Sequence, residues 1–533
     1  MDVLMRSFGG TTRPANGSDP SPIPRRLEKA PSRSTLSPRE RAEFSIHVPV
    51  VKESDGCYPE RSEGSLRLLF FSFSVALFTL LLTAACTVGP NYQRPKAEVP
   101  SEYRGVPAVA PATTSPESLG EAKWWEVFHD EQLQALIRTA LERNYDVRLA
   151  AERIVAAQAQ LRIARSNQYP SAGVGVSGVT SRGEASPQSA AYRWDYLQLG
   201  TAATWDIDFW GKYRRATEAA RANLAQSEWG KRAVTSTLIA NVAAAYFELR
   251  ALDLDLEITR SRLASRQESL RLTTLLADHG AASMVDVRQA EQLVYTASAA
   301  LPDLERQIEQ QENYLRLLLA QNPGPIPRGR SLTEQARPPE VPAGLPSQLL
   351  ERRPDIREAE EQMIAANAQI GVARAAYFPT LSLTGSGGFI SAALSELFSK
   401  PAGTWLAAAS AAQPIYTAGL LQANVRLAEA QQRQAVLAYQ QSVQSAFRDV
   451  SDALVAYRKT REVREQQDLL TAAAKDSARL AHVRYEGGRA TYLEVLTNET
   501  NYLAAELDLS RARRDEMLSL VQIYNALGGG WQQ

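Results

Sequence analysis

From residue 420 to 486 the chain carries no Gly and no Pro. Its apolar side chains, among them Val425, Ala428, Val436, Val443, Phe447, Val450, Leu454 and Tyr457, return every three or four positions with charges between them. That spacing predicts one unbroken helix, on the order of 100 Å long at about 1.5 Å per residue. A lone globular core has no use for such a length, whereas antiparallel coiled coils do. A second long helix is expected over 212–278, with shorter return helices over about 284–320 and 491–527.

A different period precedes each long helix. Leu197, Leu199, Thr201, Ala203, Trp205, Ile207 and Phe209 alternate with Gln198, Gly200, Thr204, Asp206 and Asp208. Strands are expected over about 171–182, 196–209, 380–390 and 403–413, the others being richer in Gly, Ala and Ser. The alternation suits a strand with lipid on one face and water on the other. It suits a soluble hairpin half buried on a core equally well. Four strands cannot close a barrel, and lipid tolerates no open sheet edge. If these strands span a membrane, several chains must share one barrel. Two chains would supply 8 strands, filled by their own side chains, and three would supply 12, enough for a lumen. The fold class expected is mainly α, with a small β part.

The pattern occurs twice. Residues 141–170 match residues 350–379 at 14 of 30 positions, from Leu141-Glu142-Arg143 on Leu350-Glu351-Arg352 to Pro170 on Pro379. Further along, Gly280, Ser283, Asp286 and Val287 fall on Gly488, Thr491, Glu494 and Val495. The chain reads as one unit duplicated: a first repeat over 123–322 and a second over 347–531, joined by a Pro-rich surface linker over 323–346. Each repeat should open on a helix, 141–168 or 350–377, that stops before its Pro.

Ahead of the repeats, residues 1–65 are rich in Pro, Ser, Arg and Glu and have no apolar period. Arg67 and the uncharged run Leu68–Ala85 follow, so that 66–85 reads as a secretory signal. Leu82-Thr83-Ala84-Ala85-Cys86 has the form of a lipobox, with Cys86 as the lipidated first residue of the mature chain. A signal belongs at a start, so 1–65 is expected to be an extension from a misassigned start codon. An extended segment over 86–122 then leads into the repeats.

Composition excludes more chemistry than it offers. With Lys+Arg 59 against Asp+Glu 59 in 533 residues, the chain lacks the basic excess of a nucleic-acid binder. Its mean hydropathy of −0.29 is far from that of a polytopic helical membrane protein. Removing 1–85 takes away 11 basic and 9 acidic residues, leaving 48 and 50. Two Cys and four His give no disulfide framework and no zinc site. His129, His279 and His482 stand isolated in the sequence and read as solvated. There is no phosphate-binding loop and no nucleophile elbow, so neither an enzyme nor a cofactor or metal is expected. Pro302 falls inside a return helix and should kink or locally unwind it.

The segment Cys86-Thr87-Val88-Gly89-Pro90-Asn91-Tyr92-Gln93-Arg94-Pro95 closely resembles the mature start of outer-membrane efflux lipoproteins of the OprM/NodT type, relatives of TolC. Trp124-Trp125, Asp206-Ile207-Asp208-Phe209-Trp210-Gly211-Lys212, Gln413-Pro414-Ile415-Tyr416 and the doubled Gly-x-x-[Ser/Thr]-x-x-[Asp/Glu]-Val resemble that family's landmarks, in order and over about 86–531. The resemblance implies a homotrimer with a 12-stranded β-barrel in the bacterial outer membrane, continued by an α-helical tunnel in the periplasm. It implies docking, through a periplasmic adaptor, onto an inner-membrane proton-driven pump, and export of small molecules. Thr87 after the anchor fits outer-membrane sorting of such lipoproteins. The same architecture serves type I protein secretion, and a coiled-coil lipoprotein that tethers envelope layers without a pore is the reading from another class.

Two turns are the candidate working parts. In Gly280 to Asp286 and Gly488 to Glu494, Gly ends one helix, Ser283 or Thr491 caps the next, and the acid three residues on closes a capping box. The resemblance places the same turns at the periplasmic tip, where an adaptor would contact Gly280, Ser283, Gly488 and Thr491. It also matches Asp286, Arg484, Tyr485, Leu493 and Glu494 to the family's gate. Arg–carboxylate links could hold a pore shut, and Leu493 from several chains could form an apolar constriction. Thr497 stands where an acidic residue is common. Structural and gating roles remain compatible at these positions.

Overall fold

The computed structural model describes residues 87–96, 98–100, 103–104, 118–183, 192–335 and 346–532. The expected leader 1–65, the signal 66–85 and the anchor Cys86 lie outside the described residues, as do 336–345 of the join.

The duplication is visible in element lengths. After α1 (Glu131–Arg143), the first repeat runs α2 (Tyr145–Ser166), β1 (Ser171–Gly183), β2 (Tyr192–Ile207), α3 (Lys212–Asp278) and α4 (Met284–Leu318). The second runs α5 (Pro354–Ala375), β3 (Thr380–Ser391), β4 (Gly403–Ala412), α6 (Leu420–Glu486) and α7 (Tyr492–Ala526). Helices α2 and α5 have 22 residues each, α3 and α6 have 67, and α4 and α7 have 35.

Local chemistry moves some boundaries. The helix expected over 141–168 is cut at Asn144, whose side chain accepts from Asp146 N at 2.7 Å and Val147 N at 3.3 Å, capping α2. Residues 141–143 end α1 instead. In the second repeat Pro354 takes the first position of α5, where its missing N–H costs nothing, and 350–352 belong to a short helix, Pro346–Arg352. Helix α4 stays helical through Pro302, with no local unwinding. That residue is exposed, so water can serve the carbonyl its absent N–H releases. The described part of the join is not a plain surface linker. Ile326 and Leu332 are buried, and Asp130 accepts from Arg330 N at 3.0 Å and from the Tyr246 hydroxyl at 2.9 Å.

The coiled-coil period appears in what α6 buries. Val443, Ala446, Val450, Ala453 and Tyr457 alternate steps of three and four, the spacing of a packed heptad seam. Together with Tyr439, Ile356 and Ile523 they form one core, while Ile239, Val242, Tyr246, Phe247 and Leu315 anchor a second. Each such large apolar side chain contributes roughly 1.5–3 kcal/mol by leaving water.

The four strands form one antiparallel sheet in the order β1-β2-β3-β4, so β2 and β3 join the repeats. Register sorts the strand residues by face. Val174, Val176, Leu199, Trp205, Ile207, Leu381, Leu383, Phe389 and Trp405 all fall on one face. Ser177, Gln198, Thr204, Ser382, Thr384, Ser386, Thr404 and Ser410 fall on the other, together with Val179, Trp194, Tyr196, Ile390 and Leu406 toward one end. The apolar face runs from Leu381 to Phe389, about 26 Å of strand at ~3.3 Å per residue. Among the described residues, strands β1 and β4 are paired on one side only.

A strap holds sheet and helices together. Val88 N donates to Trp210 O at 3.1 Å. The Arg215 guanidinium donates to Asn91 Oδ1 at 2.8 Å, and Asn367 Nδ2 donates to Pro90 O at 3.0 Å. The chain after Cys86 thereby crosses from the first repeat to the second at the strand-to-helix junction.

Candidate functional site

The two helix-to-helix turns are near copies. Gly280 and Gly488 both adopt φ +68°, a left-handed conformation that costs other residues about 1–2 kcal/mol. In the first turn Gly280 N donates to Ala277 O at 2.9 Å and Ala281 N to Leu276 O at 2.8 Å. In the second, Gly488 N donates to Tyr485 O at 2.9 Å and Arg489 N to Arg484 O at 2.8 Å. The glycines therefore close the long helices by satisfying their last carbonyls.

The helix starts differ, and one expectation fails. Ser283 Oγ accepts from Val285 N at 3.1 Å, and Asp286 Oδ2 accepts from Ser283 N at 3.0 Å, which closes the first capping box. No such box forms in the second turn: the Thr491 side chain makes no capping hydrogen bond. Glu494, one methylene longer than Asp286, instead meets Arg484 at 2.9 Å. An ion pair with the end of α6 takes the place of a carboxylate-to-backbone bond at the start of α7. Arg484 also donates to Arg489 O at 3.4 Å, so it ties helix end, turn and return helix together.

Tyr485 packs on Tyr492 with ring centroids 5.5 Å apart, beside Ala290, Ala481, Val495 and Leu496. Its hydroxyl pKa is raised, first by burial and then by the Asp286 carboxylate reaching it from the other turn. The candidate residues of the two turns are thus in electrostatic contact. Leu493 is 59% exposed and its counterpart Val285 62% exposed, apolar surface that none of the described residues covers. Thr497 donates to Leu493 O at 2.8 Å inside its own helix.

Above the turns, α3, α6 and α7 enclose a groove of about 1490 Å³. Its walls are laced by contacts that sequence reading missed. Arg262 forms a two-pronged pair with Glu506 at 2.7 and 2.8 Å. Ser269 and Tyr492 share a hydrogen bond at 3.0 Å, and buried Arg266 donates to Leu293 O at 3.1 Å. Partners so far apart in sequence leave no local signal. His482, read as isolated, lies 2.5 Å from Glu499. His279 also has a partner, the Leu275 carbonyl at 2.8 Å.

The Glu499 bond raises the His482 pKa above its ordinary value of about 6.5. Glu486 raises it further and partial burial opposes the shift, while Arg266 faces Glu499 from α3. A raised pKa means the α6–α7 tie is fully present below about pH 6.5 and is lost as pH rises through the folded-state value. Wild-type protein should therefore lose melting temperature between pH 6 and 8 relative to His482→Ala. Parallel pH curves would refute the tie.

A sheet with one apolar face, two edges open to partners and a long helical hairpin on each repeat now has counterparts among known proteins. A profile described as "Outer membrane efflux protein" matches residues 136–321 and 345–529. The chain belongs to the outer membrane efflux protein family. It is 36% identical over 460 residues to the probable efflux pump outer membrane protein TtgC of Pseudomonas putida, covering 85% of this chain and 95% of that one. To the cation efflux system protein CusC of Escherichia coli it is 34% identical over 472 residues, covering 87% and 99%. The open-state MtrE outer membrane channel of Neisseria gonorrhoeae superposes with a TM-score of 0.75 at 33% identity, covering 84% and 99%. The family is one of transport components. This member is an outer-membrane efflux channel protein that extends into the periplasm.

Proposed function

We propose that the chain is the passive outer-membrane duct of a tripartite pump that exports small molecules, working as a homotrimer without catalysis. The observation that supports this reading is the sheet: one face apolar, the other mostly Ser, Thr and Gln along its middle, and both edges unpaired among the described residues. Three copies would close 12 strands into a barrel with a lumen, and each apolar face would meet lipid. Six helical hairpins would continue the barrel as a tunnel. Its mouth would carry three Arg484–Glu494 pairs as latches, with Asp286 and Tyr485 behind them and Leu493 as an apolar ring. The turns around Gly280, Ser283, Gly488 and Thr491 would meet a periplasmic adaptor, which links the duct to a proton-driven inner-membrane pump.

Lipidation of Cys86 fits the same arrangement. Thr87 lies against Gly211, where β2 passes into α3, so an acyl chain on the preceding residue would start at the bilayer surface.

The reading is tested by deletion in the native host. Cells lacking the protein should accumulate a fluorescent efflux dye several-fold above wild type, with restoration by the intact gene. Unchanged dye levels together with loss of a secreted protein would assign the channel to protein secretion instead.

A further inference from the structure

The sheet reverses its polarity toward the end farthest from the helices. As far as Leu197 one face is apolar and the other is mostly Ser, Thr, Gln and Gly. Beyond Leu197 the first face carries Arg182, Arg193, Asp195 and Thr180 instead. Arg193 pairs with Asp195 at 2.6 Å, and Thr180 donates to the same carboxylate. The second face turns apolar over the same stretch, with Val179, Trp194, Tyr196 and Ile390.

These four side chains form one patch. Tyr196 stands opposite Val179, and Ile390 stands opposite Gln198, one diagonal step from Tyr196. The Trp194 and Tyr196 ring centroids are 5.3 Å apart, with the planes tilted by 47°. Trp194 is 60% exposed and Ile390 40%, so none of the described residues covers them. A shallow trough of about 400 Å³ adjoins the patch at Gln198. Its floor is a row of Gly175, Gly200 and Gly388 across three strands, where bare backbone leaves the sheet flat.

We infer that the patch and its trough bind planar aromatic cations at the outer mouth of the duct; this rests on the trimeric reading above. Charge is disfavoured on a lipid face, so Arg193 and Asp195 mark where the strands leave the hydrocarbon, and the patch faces the lumen at that level. Twelve strands about 4.8 Å apart and tilted by about 40° enclose a backbone ring roughly 24 Å across. Three copies of the patch therefore line the opening without meeting across it. They form a collar, and a departing solute has to cross it. The charged strand residues at this level, Arg182, Arg193 and Asp195, all fall on the other face. The collar thus offers ring faces and aliphatic surface, and no cation for an anion to pair with. Ring faces stack on flat apolar molecules and attract positive charge. A planar aromatic cation satisfies both, whereas a compact hydrated ion has nothing to stack.

The test uses purified full-length trimers carrying Gln198→Cys in lipid nanodiscs. Ethidium should slow modification of that thiol by a sulfonated, water-soluble thiol reagent several-fold, and tetraethylammonium at equal concentration should not. Trp194→Ala and Tyr196→Ala should each weaken the protection roughly 2- to 12-fold, the worth of one ring contact. Tyr196→Phe should keep it. If Tyr196→Ala fails to assemble, Trp194→Ala, which removes an exposed ring, decides alone. Equal slowing by both cations, or full protection without the Trp194 ring, overturns the collar and leaves the channel reading standing. Absence of trimers, or a Gln198→Cys thiol that reacts only with lipid-soluble reagents, overturns the channel reading itself.

Discussion

Leu199→Arg is expected to remove the protein from the outer membrane as an assembled channel. Leu199 stands mid-strand on the apolar face, opposite Val176 on one side and Phe389 on the other. An Arg on the lipid face costs about 2–4 kcal/mol at the bilayer midplane and less toward an interface; Leu199, opposite Phe389, stands toward one end of the Leu381–Phe389 band, and a trimer carries the substitution three times. Gln198→Arg, one residue away and on the polar face, should leave the trimer intact and alter only ion selectivity. The check is the trimer band from outer-membrane fractions on semi-native gels. Wild-type amounts of the Leu199→Arg trimer would remove the lipid-facing assignment of this sheet face.

The second large effect is expected at the tip. Glu494→Ala leaves Arg484 without its carboxylate and should loosen the link between α6 and α7 at the mouth. An exposed pair contributes about 0.2–1 kcal/mol. If three such links open together, the open-to-closed ratio rises roughly 3- to 150-fold, at about 1.4 kcal/mol per factor of ten. Arg484→Ala should do the same, and the double variant should add little, because both remove one interaction. Asp286→Ala should raise resting conductance less, since that carboxylate bonds its own turn. Unchanged conductance in Glu494→Ala would end the latch assignment.

The helices were legible because their signal is local and repeated. Apolar spacing gave α6, and the Gly turns gave the ends of both long helices. The sheet was half legible. Only β2 alternates clearly; the Gly and Ala of β1 and β4 are assigned to one face or the other only through register with Leu199, Leu383 and Phe389. The tip was read by analogy between two turns that share their Gly and an acid but differ in what faces that acid, since Leu276 stands where Arg484 does. That difference sends Glu494 to Arg484 and leaves Thr491 without its capping bond. His482 and Glu499, 17 residues apart across the second turn, and Arg262 and Glu506, 244 apart on different hairpins, pair through tertiary structure alone.

The central claim is that this protein is a duct. Purified trimers in a planar lipid bilayer, without adaptor or pump, should show discrete conductance steps with low open probability, and the Glu494→Ala trimer should open far more often. Silent bilayers from trimers of both proteins would contradict the account and leave a tether that spans the periplasm without a pore.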